Sequence, residues 1–172
     1  HNTGTDSFHL RTNTPTIIDF YPQNLENRYW HDMARTIVFG KASKQVKEIH
    51  EVVINIQETV QDMMCAGALW WQPFAIASRL FKNKGFNVSQ NGHNNSGFVH
   101  DLGHGIGVQL HEQPYISKKK HTGNRTFKIN SVFTNEPGLY FPGRFGIRVE
   151  DVLISAKSCT TNLTTFSKEL EW

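Results

Sequence analysis

A predicted β-hairpin over residues 132–153 constrains this fold more than any other feature of the sequence. Its turn contains Pro142 and Gly143, which are common turn residues. If the turn centres on Gly143, Glu136 and Glu150 lie directly opposite each other. Directly opposite residues on one face have Cβ atoms about 4.5–5.5 Å apart. Two carboxylates so close repel each other unless a cation or a proton lies between them.

A second predicted hairpin contains another acidic pair. Residues 16–21 are rich in β-branched and aromatic side chains and predict a buried strand, and residues 29–39 predict its partner across a polar turn. Asp19 and Asp32 are symmetric about that turn and are therefore predicted to face each other. Acids are depleted in strands and are unfavourable in a core without partners.

Edge-strand ion pairs are the alternative explanation, and they would account for any one of these acids. The arginines available for such pairs are Arg35, Arg144 and Arg148. Two facing acidic pairs, together with a histidine segment, favour a metal site instead.

The histidine segment covers residues 98–114. Alternating glycines argue against a helix and suit a backbone that approaches another group closely; they are Gly103, Gly105 and Gly107. Three histidines of the segment could converge, and they are His100, His104 and His111. A glycine-rich turn with incidental histidines is the alternative, but the acids predicted nearby favour a metal site.

The predicted ligands are four carboxylates and one imidazole: Asp19, Asp32, His104, Glu136 and Glu150. Such an oxygen-rich set favours Mn²⁺ or a similar divalent ion and differs from the helical H-E-x-x-H zinc pattern. Co²⁺, Zn²⁺ or Fe²⁺ are also compatible with it. Because five ligands exceed what one catalytic ion usually needs, two ions about 3.5–4 Å apart are predicted, sharing a bridging water.

Two helices are predicted between the hairpin and the histidine segment. Ser43 is a suitable N-cap for a helix reaching about Met64, in which apolar residues recur at helical spacing. Pro73 opens a second helix that reaches about Lys82, and Gly85 is suited to its end. A chain of 172 residues predicts one domain.

Composition excludes several classes of protein. The net charge of +3 is small and scattered, which argues against nucleic acid as a partner. No apolar run approaches the ~18–20 residues that a membrane span needs. Two cysteines, Cys65 and Cys159, do not make a disulfide scaffold, so a reducing cytoplasm is the predicted location.

Taken together, these segments resemble the Xaa-Pro peptidase branch (prolidases and aminopeptidases P) of the methionine aminopeptidase superfamily, the M24 metallopeptidases. The resemblance extends from about His1 to Ile154, with the motifs in the family's order. The matching motifs are Asp19 with residues 29–36, residues 104–107 with 111–114, and the two glutamate segments 136–140 and 146–151. His100, four residues before His104, resembles the His-x-x-Gly-His pattern of the Xaa-Pro branch.

The resemblance implies the α+β pita-bread fold, in which two pseudo-symmetric halves close over a central metal site. Residues 1–172 would form this catalytic domain. Because a complete pita-bread domain is longer than 172 residues, part of the N-terminal half and a separate N-terminal domain are expected to be missing. The fold of these residues would then be either incomplete or completed by a partner chain, and a homodimer is one predicted assembly.

The resemblance also implies roles for individual residues. Asp32 and Glu150 would bridge the two ions, and Glu136 would also act on the proton of the metal-bridging hydroxide or water that attacks the scissile bond. His111 and His100 would stabilise the intermediate or contact substrate, and His1 would contact substrate near that bond. Two further residues would hold the ligands in position without binding the ions themselves: Arg148 and Thr36.

The implied reaction is hydrolysis of the peptide bond before proline, by a dipeptidase or an aminopeptidase. Its substrate would be a peptide with proline after the scissile bond. Methionine aminopeptidase activity is one alternative, and a non-catalytic module that binds peptides or proteins on the same fold is another.

Overall fold

Two consecutive long helices separate a first pair of short strands from a longer series of short strands in the computed structural model, which describes residues 7, 9–89 and 96–172. The N-terminal elements are β1 (Thr16–Phe20), β2 (Met33–Ile37), α1 (Lys44–Gln61) and α2 (Trp71–Asn83). The following elements are β3 (Gly103–Gly105), β4 (Glu112–Ile116), α3 (Lys119–Thr122), β5 (Val132–Asn135), β6 (Gly138–Phe141), β7 (Phe145–Arg148), β8 (Asp151–Ser155) and β9 (Thr160–Asn162).

A five-stranded antiparallel sheet in the order β4-β3-β5-β8-β9 forms the centre of the molecule. Two further antiparallel hairpins, β1–β2 and β6–β7, lie beside it. The hairpin β1–β2 joins the rest through a bridge between Ala34 and Glu150. This arrangement brings one end of the large sheet and both hairpins together at the candidate site.

The two long helices cover the strands and complete the core. Ser43 caps α1 as predicted, and its Oγ accepts a hydrogen bond of 3.3 Å from the Val46 amide. α1 packs against α2, β6 and β7, and its buried apolar residues recur at helical spacing: Val46, Ile49, Val53, Ile56 and Val60. None of the helices in the described ranges combines the length and the apolar character that a bilayer crossing needs.

The hairpin register around Gly143 confirms the prediction from turn chemistry. Gly138 pairs with Arg148 in β6–β7, and Val132 pairs with Ile154 in β5–β8, so both ladders are symmetric about Gly143. Gly143 has φ +73°, a conformation that glycine adopts without strain. Glu136 and Glu150 lie between the two ladders in this shared register.

The register predicted for the first hairpin is wrong by two residues. Asp19 pairs with Ala34 and not with Asp32, because the turn centres one residue later than predicted, and the bridge between Gln23 and Trp30 continues the same register. β2 is also shorter than predicted and begins at Met33. A slip of two residues preserves the face of a strand, so Asp19 and Asp32 become diagonal neighbours on one face.

Four other predictions about the elements differ from the structure. The helix predicted to reach Met64 ends at Gln61, and the second helix begins at Trp71, before Pro73. The second half of the hairpin predicted over 132–153 is two strands, β7 and β8, because the Glu150 amide leaves the ladder and donates to the carbonyl of Ala34. The histidine segment contains the short strand β3.

Candidate metal centre

A small cavity of about 140 Å³ lies where the two hairpins meet the large sheet. All five residues predicted as metal ligands line it: Asp19, Asp32, His104, Glu136 and Glu150. Three further residues complete the lining: Tyr21, Leu110 and His111. The structure therefore gathers side chains from segments that are distant in the sequence.

Two glycines allow β3 to bring His104 into the cavity. A Cβ at Gly103 would lie 2.1 Å from the carbonyl oxygen of Thr134 in β5. A Cβ at Gly105 would lie 2.1 Å from the carbonyl oxygen of Gln113 in β4. Because no side chain fits at either position, glycine permits β3 to pack this closely between its neighbours.

The imidazole of His104 presents a nitrogen lone pair to the acids. Its Nδ1 lies 3.0 Å from the carbonyl oxygen of Gly105, which can only accept, so Nδ1 carries the proton. Burial lowers the pKa of His104 to about 4, so the ring is neutral at pH 7. Its Nε2, which carries no proton of its own, then lies 3.5 Å from Glu136 Oε1 and 3.7 Å from Asp32 Oδ2. Acceptors that face one another in this way favour a cation.

The carboxylates are close together and poorly compensated. Ligand atoms of Asp32, His104 and Glu150 all lie within 4.8 Å of one another. Burial, together with neighbouring carboxylates, raises the pKa of Asp32 to about 7 and that of Glu136 to about 8. Burial and the nearby acids also raise the pKa of Glu150. Within the described residues, the buried Asp32 Oδ1 has no hydrogen-bond partner. The cluster therefore needs protons or cations.

Among the residues that the structure describes, Arg148 is the cation that contacts this cluster. Its Nη2 bonds to Asp19, and its Nε lies 3.9 Å from Glu150 Oε2. The Thr36 hydroxyl donates to the Arg148 carbonyl (3.0 Å) and accepts from the Arg148 amide (2.9 Å). One guanidinium cannot neutralise four carboxylates. Hard oxygen donors with one neutral imidazole fit divalent metal ions, so these residues are suitable for a metal centre.

The other predicted histidines occupy different positions. The ring of His111 lies 4.1 Å from that of His104, at the cavity. His100 lies outside the cavity lining because its Nδ1 donates to the Asp101 carbonyl (2.7 Å) and its Nε2 lies 3.0 Å from the Tyr140 hydroxyl. His100 therefore does not converge on the site with the other two histidines as predicted. His1 lies outside the described residues.

Sequence reasoning missed three residues at or beside the site. Tyr21 follows Asp19 by two positions, a spacing that places side chains on one face of an extended segment, and it could have been found by that rule. Leu110 directly precedes His111. Tyr140 accepts a hydrogen bond of 3.0 Å from Arg148 Nη1 and thereby connects His100 to the cluster.

Known proteins are similar to this chain in fold and in sequence. An Xaa-Pro dipeptidase from Pyrococcus furiosus is 33% identical over 146 residues, which are 85% of this chain and 39% of that protein. A prolidase from Thermococcus sibiricus superposes with a TM-score of 0.85 at 32% identity, covering 99% of this chain and 43% of the prolidase. An X-Pro aminopeptidase from Thermotoga maritima gives a TM-score of 0.79 at 33% identity, covering 90% and 40% of the two chains.

These relatives establish the fold class and the family. The chain spans about two fifths of the length of the relatives that it matches. The superpositions confirm the predicted α+β pita-bread fold over that part. A model of the metallopeptidase family M24 matches residues 1–156, and the chain therefore belongs to metallopeptidase family M24.

Proposed function

We propose that this chain holds a dinuclear metal centre that hydrolyses the peptide bond before proline. One observation carries the proposal. The unprotonated Nε2 of His104 faces the buried carboxylates of Asp32, Glu136 and Glu150 in one cavity. Such a set of acceptors is unfavourable without cations and suits hard divalent ions.

Five side chains would hold two ions. Asp19 and Asp32 would bind one ion and His104 and Glu136 the other, while Asp32 and Glu150 would bridge them. Mn²⁺ is the proposed metal, although Co²⁺, Zn²⁺ and Fe²⁺ suit the same donors. Bound there, the ions would supply Lewis acidity for the scissile carbonyl and acidify water.

The side chains around the cavity would then move protons and orient the substrate. Glu136 would accept the proton of the attacking water and transfer it to the nitrogen of the leaving proline. His111, at the cavity beside His104, would donate a hydrogen bond to the carbonyl oxygen as negative charge develops. Arg148 orients Asp19, and Thr36 holds the Arg148 backbone. His100 would act on the site through Tyr140, which also contacts Arg148.

The proposed substrate class follows from the relatives. The Pyrococcus furiosus and Thermotoga maritima proteins are named for Xaa-Pro dipeptidase and X-Pro aminopeptidase activity. A peptide with proline after the scissile bond is therefore proposed for this chain. His1 contacting substrate, a homodimer and a cytoplasmic location remain predictions from the sequence.

Metal analysis and peptide hydrolysis test the proposal. The purified chain, loaded with Mn²⁺ and desalted, is expected to retain two ions by mass spectrometry and to cleave Ala-Pro peptides faster than Met-Ala or Ala-Ala peptides. EDTA is expected to remove both the ions and the cleavage. Asp32→Ala and Glu150→Ala are expected to abolish both as well. Preferential cleavage of Met-Ala peptides would favour methionine aminopeptidase, and two retained ions without cleavage would favour a binding module.

A further inference from the structure

A buried amide connects the two backbone segments that carry Glu136 and Glu150. Gln57 of α1 is completely buried. Its Nε2 donates to the carbonyl oxygen of Asn135 (3.0 Å) and to that of Val149 (3.1 Å). Asn135 and Val149 are the residues directly before the two glutamates. One side-chain amide therefore spans the two segments from outside the cavity lining.

A third hydrogen bond strengthens this connection. The buried side chain of Asn135 donates from its Nδ2 to the backbone carbonyl of Gln57 (2.9 Å). α1 and the end of β5 are thus joined by hydrogen bonds in both directions. Buried polar groups retain such arrangements because an unsatisfied donor or acceptor there costs about 1–3 kcal/mol.

Lys168 sets the orientation of the Gln57 amide. Its Nζ lies 2.7 Å from Gln57 Oε1 and 2.9 Å from Asp151 Oδ2. An ammonium group only donates, so it selects the amide oxygen and directs the nitrogen towards the two carbonyl groups. Lys168 belongs to the C-terminal segment, beyond residues 1–156 that match the family.

Arg35 connects the same network to β2. Its Nη2 bonds to Asp151 Oδ1 (2.7 Å), and its Nη1 donates to the carbonyls of Glu150 (2.6 Å) and Ala34 (2.8 Å). Arg35 and Asp151 are both buried. The segments that carry Asp32, Glu136 and Glu150 therefore share one hydrogen-bonded support.

We propose that Gln57 is a positioning residue that sets the separation of Glu136 and Glu150, and that Lys168 holds its amide in the working orientation. The inference rests on the proposed metal centre. Replacing a group that supports a metal ligand without binding the ion itself typically lowers metal affinity 10–100-fold. A residue that only fills the core would change the stability of the fold and leave the affinity of the folded protein for metal unaltered.

Gln57→Glu isolates the proposed interaction. The substitution preserves the shape of the side chain and its acceptor for Lys168, but it replaces the donor to the Asn135 and Val149 carbonyls with an oxygen. Mn²⁺ titration of the metal-free protein by calorimetry is expected to show an affinity 10–100-fold below that of the unsubstituted chain. Gln61→Glu, the same change one turn later on α1, is the matched control and should bind Mn²⁺ as the unsubstituted chain does.

Lys168→Met is the second variant, and it decides the question if Gln57→Glu does not fold. It leaves Gln57 in place but removes the group that orients its amide, so a smaller loss of affinity, at least threefold, is expected. Thermal unfolding in EDTA reports stability independently. Variants that fold and bind Mn²⁺ within twofold of the unsubstituted chain, even with a lower Tm, would overturn the positioning role alone. An unsubstituted chain that binds no Mn²⁺ would overturn the proposed function and this inference with it.

Discussion

Replacing Asp32 with asparagine is expected to stabilise the metal-free protein and to weaken metal binding. Asp32 is 5% exposed, and its Oδ1 is buried with no hydrogen-bond partner in the described part of the chain. Burial and the nearby Asp19 carboxylate raise its pKa from 3.8 to about 7. Asparagine has nearly the same shape but no charge, so the substitution removes the repulsion and a proposed bridging ligand together.

The magnitude follows from the difference in pKa between the folded and unfolded states. One pKa unit corresponds to 1.36 kcal/mol, so the shift of Asp32 corresponds to a destabilisation of at most about 4 kcal/mol above pH 7. The folded pKa is the higher one. The stability contributed by the protonated group is therefore fully present below about pH 4 and is lost as pH rises through 7. Because water can enter the cavity, Asp32→Asn is expected to raise the free energy of unfolding at pH 8 by ~2–4 kcal/mol.

Urea unfolding in EDTA, followed by circular dichroism at pH 5 and pH 8, measures this gain. The Asp32→Asn variant should be more stable than the unsubstituted chain at pH 8 and should lose less stability between the two pH values. Mn²⁺ should raise the Tm of the unsubstituted chain much more than that of the variant. Glu58→Gln, at an exposed position on α1, is the control and should change neither quantity. Lower stability of Asp32→Asn at pH 8 in EDTA, or equal stabilisation by Mn²⁺, would refute the reasoning.

Three further substitutions test the support of the site. Gly105→Ala places a Cβ 2.1 Å from the Gln113 carbonyl oxygen. It should lower the free energy of unfolding by ~2 kcal/mol or more and abolish Mn²⁺ binding. A native-like Mn²⁺ affinity would contradict the close packing of β3. Arg148→Met leaves the carboxylates of Asp19 and Glu150 without their counter-ion. It should lower the free energy of unfolding by ~3–5 kcal/mol at pH 8 in EDTA. The control Arg144→Met, at an exposed position, should leave that free energy nearly unchanged. Thr36→Val removes both hydrogen bonds to the Arg148 backbone. It should lower the free energy of unfolding, measured in urea, by ~1–3 kcal/mol. An unchanged urea midpoint of unfolding would argue against that contact.

The two hairpins show where sequence reasoning about register succeeds and where it fails. The turn at Gly143 is short and its conformation suits glycine, so the symmetric pairing around it was predictable. The other turn is longer and has a positive φ at Arg28; it centres one residue later than predicted, which changes the pairing by two residues. The prediction of a shared site survived because a slip of two preserves the face.

Histidine positions could not be derived from spacing alone. Because they belong to one glycine-rich segment, His100, His104 and His111 were predicted to converge. In the structure, His100 contacts Tyr140, while His104 lines the cavity with His111. The direction of each ring depends on the partners that pack beside it, and a partner such as Tyr140 comes from elsewhere in the chain.

The sequence by itself determined the residue types of the candidate site, the capped helix after Ser43 and the symmetry about Gly143, because these depend on residue chemistry and on neighbours close in the chain. Only the tertiary structure decided that Asp19 lies diagonal to Asp32. It alone also decided that Gln57 and Lys168, 111 residues apart, share a hydrogen bond outside the cavity that the glutamates line. Contacts of that kind arise when distant segments pack together. No local pattern encodes them, because each partner alone is an ordinary polar residue.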